Sequence, residues 1–490
     1  LVCIPFAWMW MLPDPLENFG QSLVATVLFV NNVLLFLTSG YWDLASEFKP
    51  LLHTWSLGVE EQYYILFPIF LLLTWRLGRN KVFWLIAAIA IASLALSEWS
   101  SRLHPDAAFF LIHTRAWELF AGSITAFIVQ KRGVSKNNTL AMIGLVAILF
   151  SVFAYDETTP FPSLYTLIPV LGVVLLLLFA RKETFAARLL SIKIIVGVGL
   201  ISYSGYLWHQ PLFAFSKIYS KTEPGLFVSI LLVVATFVLS YLSWRYIEKP
   251  FRNREVVSQK ILLASLLTVS VVIVAFGYSA HKTHGFVARV FDDSVSTADM
   301  YISYNQRNLS FKRDVFEGNG KLNVLIVGNS FGRDFVNVLR ETYEVGSFNL
   351  VYRDDFDSCS LLEEELGLKL ASASSVIVFA SNYTVDNSSC NLDVIAFTEK
   401  SGASTFFIGI KQFGFNHNWI ARVNNDDRAY LRNPVLADTM ESDSKAYESI
   451  PSENYISLMR PLTNNEGVLV TDGFGRLISP DRAHLTKYGA

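Results

Sequence analysis

Apolar and polar positions fall into two regimes that change over near residue 280. From Leu57 onward, apolar runs recur at about 57–75, 82–97, 112–130, 139–154, 163–180, 194–213, 225–243 and 261–279. Each run approaches the ~20 residues that a helix needs to cross a hydrocarbon core, and each is predicted to be a membrane span. Upstream, residues 1–12 and 21–38 are apolar, separated by LPDPLENFG, and the second stretch contains Asn31 and Asn32. One crossing plus a re-entrant or interfacial segment is the preferred expectation there, with two crossings the alternative if Leu1 starts on the outer side.

Beyond residue 280 the period shortens. Residues 281–320 are polar and mixed, as in a linker or the edge of the next domain. Short apolar strand candidates follow at Asn323–Val327, Ser347–Val351, Ser375–Ala380 and Thr405–Ile410, alternating with helical patterns at Arg333–Tyr343, Leu361–Leu370 and Leu392–Glu399. That alternation predicts a parallel sheet with helices on both faces. The expected fold class is therefore a polytopic α-helical membrane domain over residues 1–280, a linker over 281–320 and an α/β domain over 321–490.

Composition agrees with the pattern. The 490 residues are 52% hydrophobic and 17% charged, too apolar for an ordinary soluble enzyme. Net charge is only −2, and the basic residues gather in alternate loops, not in a patch suited to nucleic acid, so no nucleic acid partner is expected. Arg76, Arg79 and Lys81 follow the first span, Lys131, Arg132 and Lys136 the third, Arg181, Lys182, Arg188 and Lys193 the fifth, and Arg245, Lys249, Arg252, Arg254 and Lys260 the seventh. The positive-inside rule puts these loops in the cytoplasm and residues 281–490 on the other side. A disulfide between Cys359 and Cys390 is plausible in that compartment, two buried thiols being the alternative. The chain opens at Leu1 without a basic n-region or cleavage site, and is expected to be part of a longer protein.

Candidate chemistry lies in both regimes. The strand NVLIV runs into GNSF and then a helix, so Ser330 stands where a parallel strand ends and helix N–H groups begin, a place suited to an oxyanion. Near the far end, SPDRAHLTKYGA sets Asp481 three residues before His484, close enough for the carboxylate to orient the imidazole toward a serine. Asn382, after SVIVFAS, is a candidate oxyanion donor or a turn asparagine, and Gly328 is a second oxyanion candidate. In the membrane half, LLHTWSLGVEEQYYILFP carries His53, Glu60 and Glu61 into an apolar run. An ionisable group at membrane depth costs roughly 2.5–3.5 kcal/mol, which marks such residues as functional candidates. Arg115 and Glu118 lie three residues apart on one helical face, and His209 follows the aromatic cluster SYSGYLW. An interfacial belt with structural ion pairs is the alternative for this group.

GNS at Gly328–Ser330 and DRAH at Asp481–His484 resemble the blocks of the SGNH hydrolase family, whose fold is a flavodoxin-like parallel sheet. Asn329 stands where that family usually has Asp, and SNY at Ser381–Tyr383 replaces its GxND block. HTWSLGVEEQYYILFP at His53–Pro68, RAWELFAG at Arg115–Gly122, SYSGYLWHQPLF at Ser202–Phe213 and WRYIEKPFR at Trp244–Arg252 are similar to successive signatures of the membrane acyltransferase family 3. The combined resemblance implies a bacterial O-acetyltransferase in the cytoplasmic membrane, multi-pass, with a periplasmic or extracytoplasmic SGNH domain. It implies transfer of acetyl from cytoplasmic acetyl-CoA to hydroxyls of a surface polysaccharide: O-antigen, peptidoglycan or exopolysaccharide. Its partners would be that glycan, acetyl-CoA and the lipid bilayer, with no metal. Ser330 would be acylated, His484 would act as general base, and Asp481 would orient it. The resemblance also implies that the family's membrane histidine and its basic neighbours precede Leu1. Two other readings stay open: a tethered acetylesterase, and a transporter with an accessory binding domain.

Overall fold

Every apolar run predicted to span a membrane is a helix: Thr54–Thr74, Arg79–Leu103, Ile112–Arg132, Asn138–Ala154, Leu167–Phe179, Lys193–Tyr219, Leu226–Ser243 and Gln259–Lys282. The structure is a computed structural model and describes residues 1–38, 46–156, 158–291, 302–344, 346–381 and 388–490. Among these residues, 4 helices are long and apolar enough to cross a membrane: Thr54–Leu77, Arg79–Leu103, Leu226–Arg252 and Gln259–Lys282. Asn138–Ala154 and Leu164–Phe179 are apolar but shorter. Ile112–Arg132 and Lys193–Tyr219 are long but carry Arg115, Glu118 and His209.

Residues 1–38 form three short helices, Cys3–Trp10, Pro13–Val27 and Asn31–Thr38. The longest has 15 residues and at 1.5 Å per residue is about 22 Å long, short of the ~30 Å hydrocarbon core, so the predicted single full crossing is not formed by one helix there.

Contacts divide the chain into two units. The first comprises Asn18–Phe215 and Gly225–Lys282 with Leu1. Its large apolar side chains point outward, with Leu72 78%, Phe153 84% and Leu226 78% exposed, as an apolar solvent requires. Small residues let its helices approach closely. A Cβ placed on Gly144 would lie 2.6 Å from the Gly172 carbonyl, and one on Gly172 would lie 2.7 Å from the Gly144 carbonyl. Asn31 and Asn32 are buried because they have partners, Asn31 Nδ2 donating to Thr54 Oγ1 at 2.8 Å and Asn32 Nδ2 to the Phe110 carbonyl at 3.1 Å.

The second unit holds the sheet. Its strands are β1 (Asn323–Val327), β2 (Asn349–Arg353), β3 (Val376–Ala380), β4 (Ser404–Ile408), β5 (Arg432–Asn433), β6 (Tyr455–Ile456), β7 (Thr463–Asn464) and β8 (Gly467–Leu469). Five form a parallel sheet in the order β2-β1-β3-β4-β6, and the others form a small antiparallel sheet, β5-β8-β7. Period-2 alternation along β1 sends Leu325 and Val327 to one core with Ile377, Phe379 and Phe407, and Val324 and Ile326 to another with Phe331, Tyr352 and Val378. Both faces are covered, which explains why the strands read as unbroken apolar runs.

The predicted β2 slides two residues, to Asn349–Arg353, because its parallel pairing sets Asn349 against Asn323 and leaves Arg353 opposite Val327. The helix predicted from Arg333 starts earlier, at Ser330, because Asn329 Oδ1 caps it by accepting from the Phe331 N–H at 3.0 Å. Cys359 and Cys390 are joined by a disulfide.

The unit boundaries differ from the expected 1–280, 281–320 and 321–490. The second unit takes in Val2–Glu17, Ser216–Pro224 and everything from Thr283 onward. Leu12 packs in one core with Val290, Phe291, Phe413 and Leu485, and its N–H donates to Asn418 Oδ1 at 2.8 Å. Asn416 Nδ2 reaches the carbonyls of Lys217, Ile218 and Ser220 at 3.1, 2.7 and 2.8 Å. Of the two readings of residues 281–320, linker or edge of the next domain, the second holds, since Val290 and Phe291 are core residues of this unit, and sequence-distant segments complete it.

Candidate active site

In the order β2-β1-β3, the chain leaves β1 for one neighbour and later returns on its other side, so the carboxyl end of β1 is the switch point where open α/β sheets bind ligands. Gly328 makes the turn there, at φ 154°, with so little room that a Cβ would lie 2.0 Å from the Ala380 carbonyl. Its N–H donates to the Arg353 carbonyl at 2.9 Å. That bond commits the amide to the sheet and corrects its expected role as an oxyanion donor. Asn329 does what an Asp would do as a helix cap, so the departure from GDS costs the turn nothing visible.

Ser330 is fully buried at the N-terminus of the helix Ser330–Thr342, where first-turn N–H groups lack intrahelical partners. Its Oγ lies 2.9 Å from His484 Nε2, and His484 Nδ1 lies 2.7 Å from Asp481 Oδ2. These distances assign the tautomer: Nδ1–H donates to the carboxylate and Nε2 accepts from the serine hydroxyl. The other carboxylate oxygen accepts from the N–H groups of Ala483 and His484 at 2.7 and 2.9 Å. Burial would raise the Asp481 carboxyl, but the His484 side chain and these two amides outweigh it and hold the group down at about 2. Asp481 is thus a fixed anion facing the imidazole.

Asn382 lies outside the described residues. Missed by sequence reasoning are Asp334, on the Ser330 helix, and Lys411, just past β4, an ion pair with Nζ 2.8 Å from Oδ2. Burial pulls the Lys411 ammonium below its ordinary value, with Asp334 opposing that shift. The visible signal was Asp334 standing one turn after Ser330 in GNSFGRD.

In the helical unit the predicted residues form two groups. The His53 ring lies 5.5 Å from that of His209 and 5.2 Å from that of Tyr206, and the Tyr206 hydroxyl donates to the His53 carbonyl. Arg115 pairs with Glu118 at 3.2 Å, and its guanidinium faces the rings of Trp55, Phe161 and Phe109 at 4.7, 4.9 and 5.5 Å. Trp55 sits two residues from His53 and so connects the groups. Glu60 and Glu61 are half-buried about two turns further along the same helix.

Helices fit to cross a bilayer and a serine–imidazole–carboxylate chain in one polypeptide define a membrane protein equipped for acyl chemistry. Residues 1–245, half of the chain, match the family described as Acyltransferase domain, and the chain belongs to that family. It is similar to the peptidoglycan O-acetyltransferase OatA of Listeria monocytogenes, 29% identical over 262 residues, covering 49% of this chain and 42% of the relative. It is also similar to the O-acetyltransferase OatA of Staphylococcus aureus, 27% identical over 274 residues, covering 52% of this chain and 45% of the relative. The chain therefore spans less than half the length of these relatives. No solved structure matches it.

Proposed function

We propose that the protein is an O-acetyltransferase that moves an acetyl group from acetyl-CoA, through its membrane unit, to a hydroxyl of a cell-envelope glycan. The observation that carries this reading is the unbroken Ser330–His484–Asp481 chain in a member of an acyltransferase family. The relatives' names favour peptidoglycan as the acceptor, with O-antigen and exopolysaccharide as the other glycans of this class. The four basic loops support a bacterial cytoplasmic-membrane location with the sheet unit on the outer side.

In the proposed reaction Ser330 Oγ attacks the acetyl carbonyl while His484 Nε2 takes its proton. The donor's leaving group recovers that proton and departs, leaving acetyl-Ser330. A glycan hydroxyl then attacks the ester and gives its proton to Nε2, which passes it to the departing Ser330 Oγ, so that the serine hydroxyl and neutral imidazole are regenerated with the acetyl ester on the sugar. Asp481 stabilises the imidazolium in both halves. First-turn N–H groups of the Ser330 helix are suited to the carbonyl oxygen as it becomes negative. The His53–His209 and Arg115–Glu118 groups would line the acyl path in the membrane unit.

The same chain of groups would serve an esterase if water replaced the sugar. Family membership favours transfer over both esterase and transporter readings. The decisive measurement is NMR of glycan O-acetylation in cells carrying the full-length protein, Ser330→Ala or His484→Ala. Loss of acetyl signal in both variants is expected. Unchanged signal in both sinks the mechanism, and ready hydrolysis of acetylated glycan without transfer identifies an esterase.

A further inference from the structure

The proposed transfer uses Ser330, His484 and Asp481, yet a second set of charges is buried directly against them. Asp334 is 0% and Lys411 2% exposed. Burying an ion costs several kcal/mol even after relaxation, and a well-packed apolar pair is often as stable, so stability alone is a weak explanation for this pair. Its geometry suggests another.

Asp481 holds His484 only within one turn of chain: the carboxylate is three residues away and its other bonds go to the amides of Ala483 and His484. These contacts orient the ring in its loop but leave the distance from that loop to Ser330 undetermined. Asp334 ties that loop directly to the Ser330 helix. It lies on the Ser330 helix one turn further on, and its Oδ2 accepts from the N–H of Leu485, the residue after His484, at 3.1 Å. Oδ1 accepts from Asn305 Nδ2 at 3.0 Å. Lys411, just past β4, completes the arrangement, with Nζ 2.8 Å from Oδ2 and 3.4 Å from the centre of the Phe331 ring. Phe331 follows Ser330, and its ring stands edge-on to His484 at 6.1 Å. One carboxylate and one ammonium therefore join the serine helix, the loop of the imidazole and the end of β4.

We infer that Asp334 and Lys411 are positioning residues that set the distance between Ser330 and His484 by clamping the Leu485 amide and the Phe331 ring. The inference rests on the reading of Ser330 as nucleophile. It predicts that the pair controls how fast the serine reacts and leaves binding of a small ester unaltered.

The test uses the full chain in detergent, measuring the rate of Ser330 labelling by a fluorophosphonate and the kcat and KM for p-nitrophenyl acetate. Asp334→Asn and Lys411→Met should slow labelling and lower kcat by about 10- to 100-fold, the scale of an ångström misplacement, with KM within about twofold of wild type. Folded Lys411→Met protein that labels at the wild-type rate overturns the positioning role. If these variants do not accumulate, Asn305→Ala decides, since it removes one hydrogen bond to the carboxylate and keeps the ion pair. Labelling about two- to fivefold slower supports the clamp, a loss in keeping with one hydrogen bond, and unchanged labelling overturns it. Failure of wild-type Ser330 to label overturns the nucleophile reading itself and this inference with it.

Discussion

The two units are packed in opposite senses. In the helical unit Leu72, Phe153 and Leu226 face outward and the asparagines face inward, whereas in the sheet unit Leu325, Ile377 and Phe379 are sealed inside. The histidines differ in the same way. His53 and His209 meet aromatic edges and a backbone carbonyl, with His209 Nδ1 2.7 Å from the Tyr206 carbonyl. His484 stands between a hydroxyl and a fixed anion. An apolar surrounding tolerates a few paired polar groups, while the carboxyl end of an open parallel sheet can assemble a serine–imidazole–carboxylate chain. That contrast is why the proposed covalent step falls on Ser330 of the sheet unit.

The largest expected effect would break that assignment. Asp481→Asn should lower turnover of p-nitrophenyl acetate by roughly 10⁴-fold while the fold is kept, since the wrong tautomer then faces Ser330. Turnover within a few-fold of wild type would mean the relay does not operate. Next comes packing. Phe379, stacked on Phe407 at 5.0 Å, should cost about 3–5 kcal/mol when changed to Ala, whereas Phe153→Ala should cost under about 1 kcal/mol in detergent, where no cavity forms. Chemical denaturation of the purified chain compares them, and equal costs would erase the inside-out distinction.

The smallest effect sharpens the comparison through pH. Burial holds His417 down at about 4, from 6.5, against the opposing bond of its Nε2 with the Phe413 carbonyl. A depressed base stabilises the fold above its unfolded value, and that stability is lost as pH falls from about 6.5 to about 4. Asp481, depressed from 3.8 to about 2, adds a second loss below that range. The first step amounts to roughly 3 kcal/mol by linkage. Melting temperature measured against pH should fall across it for wild type and stay flatter for His417→Gln. Equal profiles would remove His417 from the account.

Much of the architecture was legible because its signals are local. Runs near membrane length, alternating basic loops, and short strands separated by helical patterns each depend on neighbours in sequence. The Ser330 turn and the Asp481–His484 spacing were readable for the same reason, and the resemblance to two families joined them. The register of β2 was not, since it depends on pairing with β1, and neither was the use of the Gly328 amide, which is committed by Arg353 on that neighbouring strand.

By itself, the sequence determined which segments avoid water and which residues are candidates for acyl chemistry, because side-chain polarity, spacing along the chain and family resemblance are enough for both. Only the tertiary structure decided that Val2–Glu17 and Ser216–Pro224 belong with the sheet, and that Asp334 and Lys411 share one buried contact. Whether a charge is buried depends on the partner that meets it, and here that partner arrives from 77 residues away, a distance at which no local periodicity carries information.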